Sequence, residues 1–375
     1  SMTTFATQST SGSNPGDAGP VIVRVDDSLR PLALARLLGV RPGDRSVRDL
    51  ELAAASDAND LSQLWATLND AGRPVHVALV MPSPGRTAMF FLSEDDATGG
   101  GSAPDAERLR GPEATRERAR LLQHVCQVLR REKAEDAPTL GHQAGFTRRE
   151  PARAELPVYT MGQSLLEPTQ ASLRSSFVQG GFSHLADLAY MRREIPRRPS
   201  FDPPTWPAGV SVRSVASMPP AKAEAALVRA LTRSYIGTLD CPALCSLRTT
   251  QDVLASHRSV GTYDPAMWHV VFVNDEAEGC LLLSPCPAQQ TVELVYIGLG
   301  PSARGMGLGT GLMKMGLNSL CVRAERWLAC AVDEANTPAR RLYESLRFRA
   351  FAKRVALVVD LNPAPSAPDT RHLRG

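Results

Sequence analysis

The sequence predicts a mixed α/β (α+β) fold in two domains, each a central, mostly antiparallel sheet flanked by helices. Three observations point there. The chain has 375 residues, enough for about two ordinary domains, each with its own core. The second half reads as an antiparallel meander followed by a β-α-β-α-β run. The end of the first half repeats the pattern that ends the second.

The elements follow from side-chain periodicity. In the first half, "VHVALVMP" and "GRTAMFFLSE" are paired strands, and "ATRERARLLQHVCQVLRRE" is an amphipathic helix. "QSLLEP" is a strand, "QASLRSSFVQGGF" a helix, and "SHLADLAYMRRE" a closing strand. In the second half, "GVSVRSV" alternates as a short strand. "PAKAEAALVRALTRSYIG" is a helix with Ala226, Leu227, Ala230 and Leu231 on one face. "MWHVVFVND" and "GCLLLSP" are strands about a turn at Asp275 to Glu278, and "TVELVYIGLG" is the next. "GTGLMKMGLNSLCVRAE" is a helix and "RWLACAVD" a strand. "NTPARRLYESLRF" is a helix with Asn336 as N-cap and Pro338 in its first turn. "FAKRVALVVDL" closes the chain as a strand.

Composition places the boundaries. Residues 1–19 are rich in Ser, Gly and Thr and read as a disordered tail. Asp95 to Ala114 is a long loop. The segment "PRRPSFDPPTWPAG" carries five prolines and reads as a stiff linker. The expected division is therefore a domain at 20–196, a linker at 197–208, a second domain at 209–362 and a loose tail at 363–375.

Composition also excludes classes. A formal charge of +3 is too small for a nucleic-acid stripe. No apolar run approaches the roughly 20 residues of a membrane span. The polar "SMTTFATQSTSGSNPGDAGP" has no apolar core and is not expected to be a secretory signal, and Ser1 before Met2 reads as a cloning remnant. Seven cysteines without framework spacing suggest a reducing, cytoplasmic compartment. Cys241 and Cys245, with Cys280 and Cys286, are spaced too loosely for a zinc site and read as free thiols; no metal is expected.

The densest signal is "YIGLGPSARGMGLGTGLMKMG", Tyr296 to Gly316. A strand hands over to a helix through Arg304 and glycines at 305, 307, 309 and 311. Small residues there let backbone approach a ligand, and a helix's first N–H groups attract anions. Neither the dinucleotide fingerprint nor the P-loop spacing fits. The alternative is a turn whose glycines only let a helix pack closely.

"RGMGLG" (Arg304 to Gly309) resembles the R/Q-x-x-G-x-G/A pyrophosphate loop of the GNAT family of N-acetyltransferases, and "NTPARRLYESLRF" its N-x-x-A-x-x-L-Y-x-x-L-G-F segment. The resemblance covers roughly Gly209 to Leu361. One departure is Arg347, where the family usually has glycine. The resemblance implies acetyl-CoA, or another short acyl-CoA, as co-substrate. It places the pyrophosphate on the backbone of Gly305, Met306, Gly307, Leu308, Gly309 and Thr310. It implies that the strand ending at Leu299 splays from its neighbour and offers its edge to the pantetheine. A backbone N–H near Ile297 would polarise the thioester carbonyl. Asn336 would bond the pantetheine arm, Arg340 would lie near the cofactor, and Arg304 would flank the loop. Asn336 serves equally as a helix cap, and Arg304 equally as a surface charge.

An alkyl amine with a pKa of about 10.4 is mostly protonated at pH 7, a cost of about 4.6 kcal/mol unless a base takes the proton. The resemblance implies Glu293 as the base, since several GNAT enzymes place a catalytic glutamate at this strand position; it lies on the strand before the loop, on the opposite face from Val292 and Leu294. Tyr343 matches the family tyrosine that protonates the departing thiolate. Each also has an ordinary reading, as a solvated strand residue and a packed helix residue. For the acceptor, the candidates are Tyr235, Asp240, Trp268 and His269, with Asp240 suited to a cationic amine; His257 and Tyr263 are weaker ones.

"QASLRSSFVQGGF" lies on "NTPARRLYESLRF" without gaps, so the first half resembles a degenerate GNAT domain. Gln170 stands for Asn336 and Phe177 for Tyr343. The expected function is N-acetylation of a primary amine, on a small molecule, by direct attack in a ternary complex. The alternatives are a protein N-acetyltransferase and a non-catalytic acyl-CoA-binding sensor or scaffold. Neither nucleic acid nor membrane is an expected partner.

Overall fold

Among the described residues, twelve strands form one sheet whose order is symmetric about its middle. The computed structural model describes residues 20–55, 60–95, 110–135 and 159–362. The expected tails at 1–19 and 363–375, and most of the loop from Asp95, lie outside the described residues. The first half contributes β1 (Val21–Arg24), α1 (Arg30–Leu38), α2 (Arg45–Ala55), β2 (Leu64–Leu68), β3 (Pro74–Ser83) and β4 (Thr87–Leu92). It continues with α3 (Gly111–Glu135), β5 (Met161–Leu166), α4 (Ala171–Gln179) and β6 (Ser183–Glu194). The second half begins with β7 (Val210–Ser214), α5 (Pro220–Ser234), α6 (Thr250–Arg258), β8 (Trp268–Val273), β9 (Glu276–Cys286) and β10 (Thr291–Leu299). It ends with α7 (Leu308–Ser319), β11 (Trp327–Asp333), α8 (Thr337–Ser345) and β12 (Arg349–Asp360).

The order is β1-β2-β3-β4-β5-β12-β6-β11-β10-β9-β8-β7. All neighbours are antiparallel except β4 with β5 and β10 with β11. The two closing strands are exchanged: β12 pairs with β5, and β6 pairs with β11. They also pair with each other through most of their length. Each half's fifth strand is therefore completed by the other half's last, and the sheet is continuous.

Local chemistry sets the joints. Asn274 and Asp275, with φ of 49° and 64°, make the tight turn between β8 and β9, a left-handed pair that asparagine and aspartate tolerate. This turn is shorter than the Asp275 to Glu278 turn the sequence suggested, and the next strand begins at Glu276. Thr249 and Asp252 form a reciprocal capping box at the head of α6. The proline-rich segment is tied down: Ser200 and Phe201 donate backbone N–H groups to the Asn318 side chain at 3.1 and 3.3 Å, and Trp206 packs against the core under α7.

The repeat holds at the level of caps. α4 and α8 are both nine residues long, with Gln170 and Asn336 as N-caps. Both end in the same motif. After α8, Phe348 N–H bonds Tyr343 O at 3.0 Å and Arg347 N–H bonds Glu344 O at 2.9 Å. After α4, Phe182 N–H bonds Phe177 O at 3.0 Å and Gly181 N–H bonds Val178 O at 3.1 Å. The motif requires a left-handed residue, which is Gly181 in one copy and Arg347, at φ 66°, in the other. Among the described residues no helix is long and apolar enough to cross a membrane.

Candidate active site

β10 is where two faces of the sheet become accessible. It pairs with β9 along its length but with β11 only over Thr291–Glu293. A bulge between Leu294 and Tyr296 inserts Val295. A bulge re-aims the side chains beyond it. Val292 and Leu294 pack under α7, while Tyr296 packs in the cluster of α5 and α6. Beyond the bulge the strands part and a cavity of about 420 Å³ opens. Its floor is β10 from Leu294 to Leu299, its far wall includes Ala331, Asn336 and Tyr343, and its mouth is at Gly305 and Gly309.

The glycine ladder divides by job. Gly305 and Gly307 have φ of 75° and 72°, and a Cβ on either would meet nothing within 4 Å. Gly307 is the N-cap of α7, and no side chain caps that end. The N–H groups of Leu308, Gly309 and Thr310 precede the first helical bond, Gly311 N–H to Gly307 O at 3.3 Å. The macrodipole adds about half a positive charge there. Gly311 and Gly316 instead serve packing: a Cβ would come to 2.9 Å from the Trp206 ring and 3.2 Å from Leu281. Both readings of the ladder are therefore realised, at different rungs.

The flanking arginines are tied to protein. Arg304 donates from Nε to Leu299 O at 2.8 Å and from Nη2 to Ser234 O at 3.1 Å, so it braces the end of β10 against α5. Met306 and Thr310 are exposed beside the loop. Arg340 donates to Glu334 O and pairs with Glu344 at 3.4 Å; it does not line the cavity.

Asn336 caps α8, its Oδ1 accepting from Ala339 N–H at 3.3 Å, and also lines the cavity. Tyr343 is 5% exposed and faces the same space. Burial holds its phenol pKa well above the ordinary value, so the hydroxyl stays protonated. Ile297 and Leu299 lie on the cavity floor.

A second cavity, of about 300 Å³, lies against β10 beneath α5, α6 and the loop joining them. It shares Asp240, Val295 and Tyr296 with the first. Tyr235 and Asp240, two of the acceptor candidates, line it. Asp240 Oδ1 accepts from Asp333 N–H at 3.1 Å, and burial raises its pKa. His257 stacks on Tyr296 with centroids 5.4 Å apart, and burial lowers its pKa to about 4, so it is neutral at pH 7. Tyr296 holds Ser234 Oγ at 3.0 Å.

Two acceptor candidates are corrected. Trp268 is completely buried, with Tyr263 edge-on at 4.8 Å and Ser284 Oγ at 3.5 Å from its indole nitrogen. It is a core residue. His269, the next residue on β8, lines neither cavity. Glu293 sits at the point where β10 and β11 part, paired in register with Ala329 and Ser284. It lies just outside both cavities, and burial raises its carboxyl pKa.

Sequence reading passed over Tyr296 and Arg248 and gave His257 little weight. Tyr296 depends on the bulge, which has no sequence signature here. Arg248 precedes α6 and His257 lies in its last turn, a helix the sequence analysis did not mark.

In the first half, β4 and β5 also pair in parallel over three residues, Thr87–Met89 with Met161–Gln163. There Phe90, Phe177 and Phe182 pack edge-to-face, 4.9 and 5.1 Å between centroids.

Residues 238–348 match the model of the acetyltransferase (GNAT) family. Over 220 residues the chain is 31% identical to a mycothiol acetyltransferase of Thermomonospora curvata, covering 56% of this chain and 67% of that protein. A mycothiol acetyltransferase of Streptomyces scabiei is 30% identical over 205 residues, covering 51% and 63%. The chain thus spans about two thirds of the length of these curated relatives. Among solved structures, a GCN5-related N-acetyltransferase from Sphaerobacter thermophilus superimposes with a TM-score of 0.53 at 18% identity, over 92% of this chain and 97% of that one. That likeness shows the fold, through both halves.

Proposed function

Because the chain belongs to the GNAT family of acetyltransferases, we propose that it moves an acetyl group from acetyl-CoA to a primary amine of a small molecule, by direct attack in a ternary complex. The observation that carries this reading is the meeting of two cavities at one bulged strand, at Val295 and Tyr296. The names of the two curated relatives support a small-molecule acceptor.

The residues present suit a CoA pyrophosphate. Gly305, open and left-handed, lines the mouth of the 420 Å³ cavity with Gly309, and Gly307, also open and left-handed, begins the uncapped helix between them. The bound co-substrate supplies an activated thioester. The backbone from Gly305 to Thr310 holds its phosphates, and the β10 edge left free by β11 pairs with the pantetheine arm. A backbone N–H near Ile297 polarises the carbonyl. Asn336 bonds the arm while capping its helix. Tyr343 gives its phenolic proton to the departing sulfur. Glu293, its basicity raised by burial, takes the amine proton through water.

Residues 209–362 form the catalytic unit in this reading, apart from the strand exchange, and 20–196 the degenerate one. Phe177 replaces the tyrosine acid, and the Phe90–Phe177–Phe182 cluster fills the region where the second half has space. Thiol release from acetyl-CoA, followed with a panel of small primary amines, tests the function. Amine-dependent release supports it. Acetyl-CoA binding without release for any amine would favour the sensor reading.

A further inference from the structure

The second cavity holds a cation with no hydrogen-bonded partner among the described residues. Arg248, just before α6, lines it. Its Nε is buried without a partner, and among the described residues no carboxylate or carbonyl accepts from its guanidinium. Guanidinium offers five donors and no acceptor, and leaving it unmatched in a half-buried site is costly. The nearest carboxylate in sequence, Asp252, is already taken. It receives two hydrogen bonds from Arg86, at 2.8 and 2.7 Å, and one from Thr249 Oγ1 at 2.8 Å.

The other groups facing this space are neutral at pH 7. Burial pushes the Tyr235 and Tyr296 phenols up, the Cys241 thiol up to about 12 and the Cys245 thiol up as well. His257 is neutral for the reason given above. The remaining carboxyl, Asp240, lies at the opening toward the thioester cavity. The space therefore carries an acidic group shared with the first cavity, Asp240, and an arginine without a hydrogen-bonded partner, Arg248.

We propose that Arg248 receives an anionic oxygen group, a carboxylate or a phosphate, carried by the same small molecule whose amine is acetylated. This rests on the acetyltransferase reading above and adds the acceptor's chemical class. A volume of about 300 Å³ holds roughly ten water-sized groups, the scale of an amino acid or a phosphorylated amino alcohol. Arg–oxyanion pairs are often bidentate and directional, so the arginine would orient the amine as well as attract the acceptor.

The test is equilibrium titration of the CoA-loaded protein with matched ligands: amino acids against their carboxamides, and phosphoethanolamine against ethanolamine. At least one anionic member is expected to bind tenfold or more tightly than its neutral twin. That preference should vanish in Arg248→Met, persist in part in Arg248→Lys, and leave CoA affinity unchanged in both. A preference confined to one pair identifies carboxylate or phosphate as the group. Neutral twins binding as well as anionic ones, no binding by any ligand, or an undiminished preference in Arg248→Met would overturn the proposal. Thiol release is measured in parallel. Anion preference without acetyl transfer would sink the enzyme reading and leave the anion site standing.

Discussion

Arg86, in the turn between β3 and β4, grips Asp252 at the head of α6 with hydrogen bonds of 2.8 and 2.7 Å. The two residues belong to different halves, 166 positions apart. Gly85 beside it lies so close that a Cβ would come to 2.3 Å from Asp252 O. The first half thus sets the position of a helix that walls the proposed acceptor cavity, although its own residues line neither cavity.

The pair makes stability depend on pH. The Arg86 hydrogen bonds, ahead of those from Thr249, hold the Asp252 carboxyl at about 2, below the unfolded value of about 3.9. A depressed carboxyl contributes above its unfolded pKa and loses that contribution as pH falls through the folded one. Denaturation between pH 5 and 2 should therefore show a loss of about 2 kcal/mol that is smaller in Arg86→Ala, where only the Thr249 hydrogen bonds still depress the carboxyl. The same variant frees Asp252 to neutralise Arg248, so it should also weaken anionic acceptors.

Arg347 holds the left-handed position that ends α8 with a β-carbon the geometry disfavours. Its repeat counterpart is Gly181. Arg347→Gly should stabilise the protein by about 1 kcal/mol, read as a higher denaturation midpoint, with acetyl-CoA affinity unchanged.

Tyr343 faces the 420 Å³ cavity with no described group bonding its hydroxyl. Phe177 shows that phenylalanine packs at the equivalent place. Tyr343→Phe should fold normally and bind acetyl-CoA normally, while kcat falls by about a hundredfold. Unchanged turnover would remove Tyr343 as the acid.

Glu293 acts as base only when ionised, and burial raises its pKa. The wild-type rate should fall as pH drops through that raised value. Glu293→Gln should run about a hundredfold slower and lose this acidic limb. If the limb survives in the variant, the proton goes elsewhere, and His257 is the group next to be replaced.

Much of this was legible in the sequence because it rests on local chemistry. The strand "SHLADLAYMRRE" matches β6 residue for residue, and the gapless overlay of "QASLRSSFVQGGF" on "NTPARRLYESLRF" holds in helix length and in the C-terminal motif, while only Asn336 caps its helix through its side chain. The glycines at 305 and 307 announced themselves by spacing. What was hidden depends on distant pairings. The exchange of β6 and β12 joins residues about 160 apart and leaves no periodic trace. The Val295 bulge turns Tyr296 to the other face, which strict alternation misassigns. Trp268, an acceptor candidate in the sequence, is buried in the core by its strand instead, a placement set by the sheet pairing.

The most direct measurement is calorimetric titration of acetyl-CoA and free CoA into wild type, Gly307→Glu and Gly311→Ala. Wild type should bind on the order of 1–100 μM. Gly307→Glu should lose that binding, because it puts a carboxylate where the open backbone faces the ligand. Gly311→Ala should be less stable, from crowding Trp206, yet bind normally. If wild type fails to bind, or Gly307→Glu binds as wild type does, the glycine loop is not a phosphate cradle and the two-cavity mechanism is wrong.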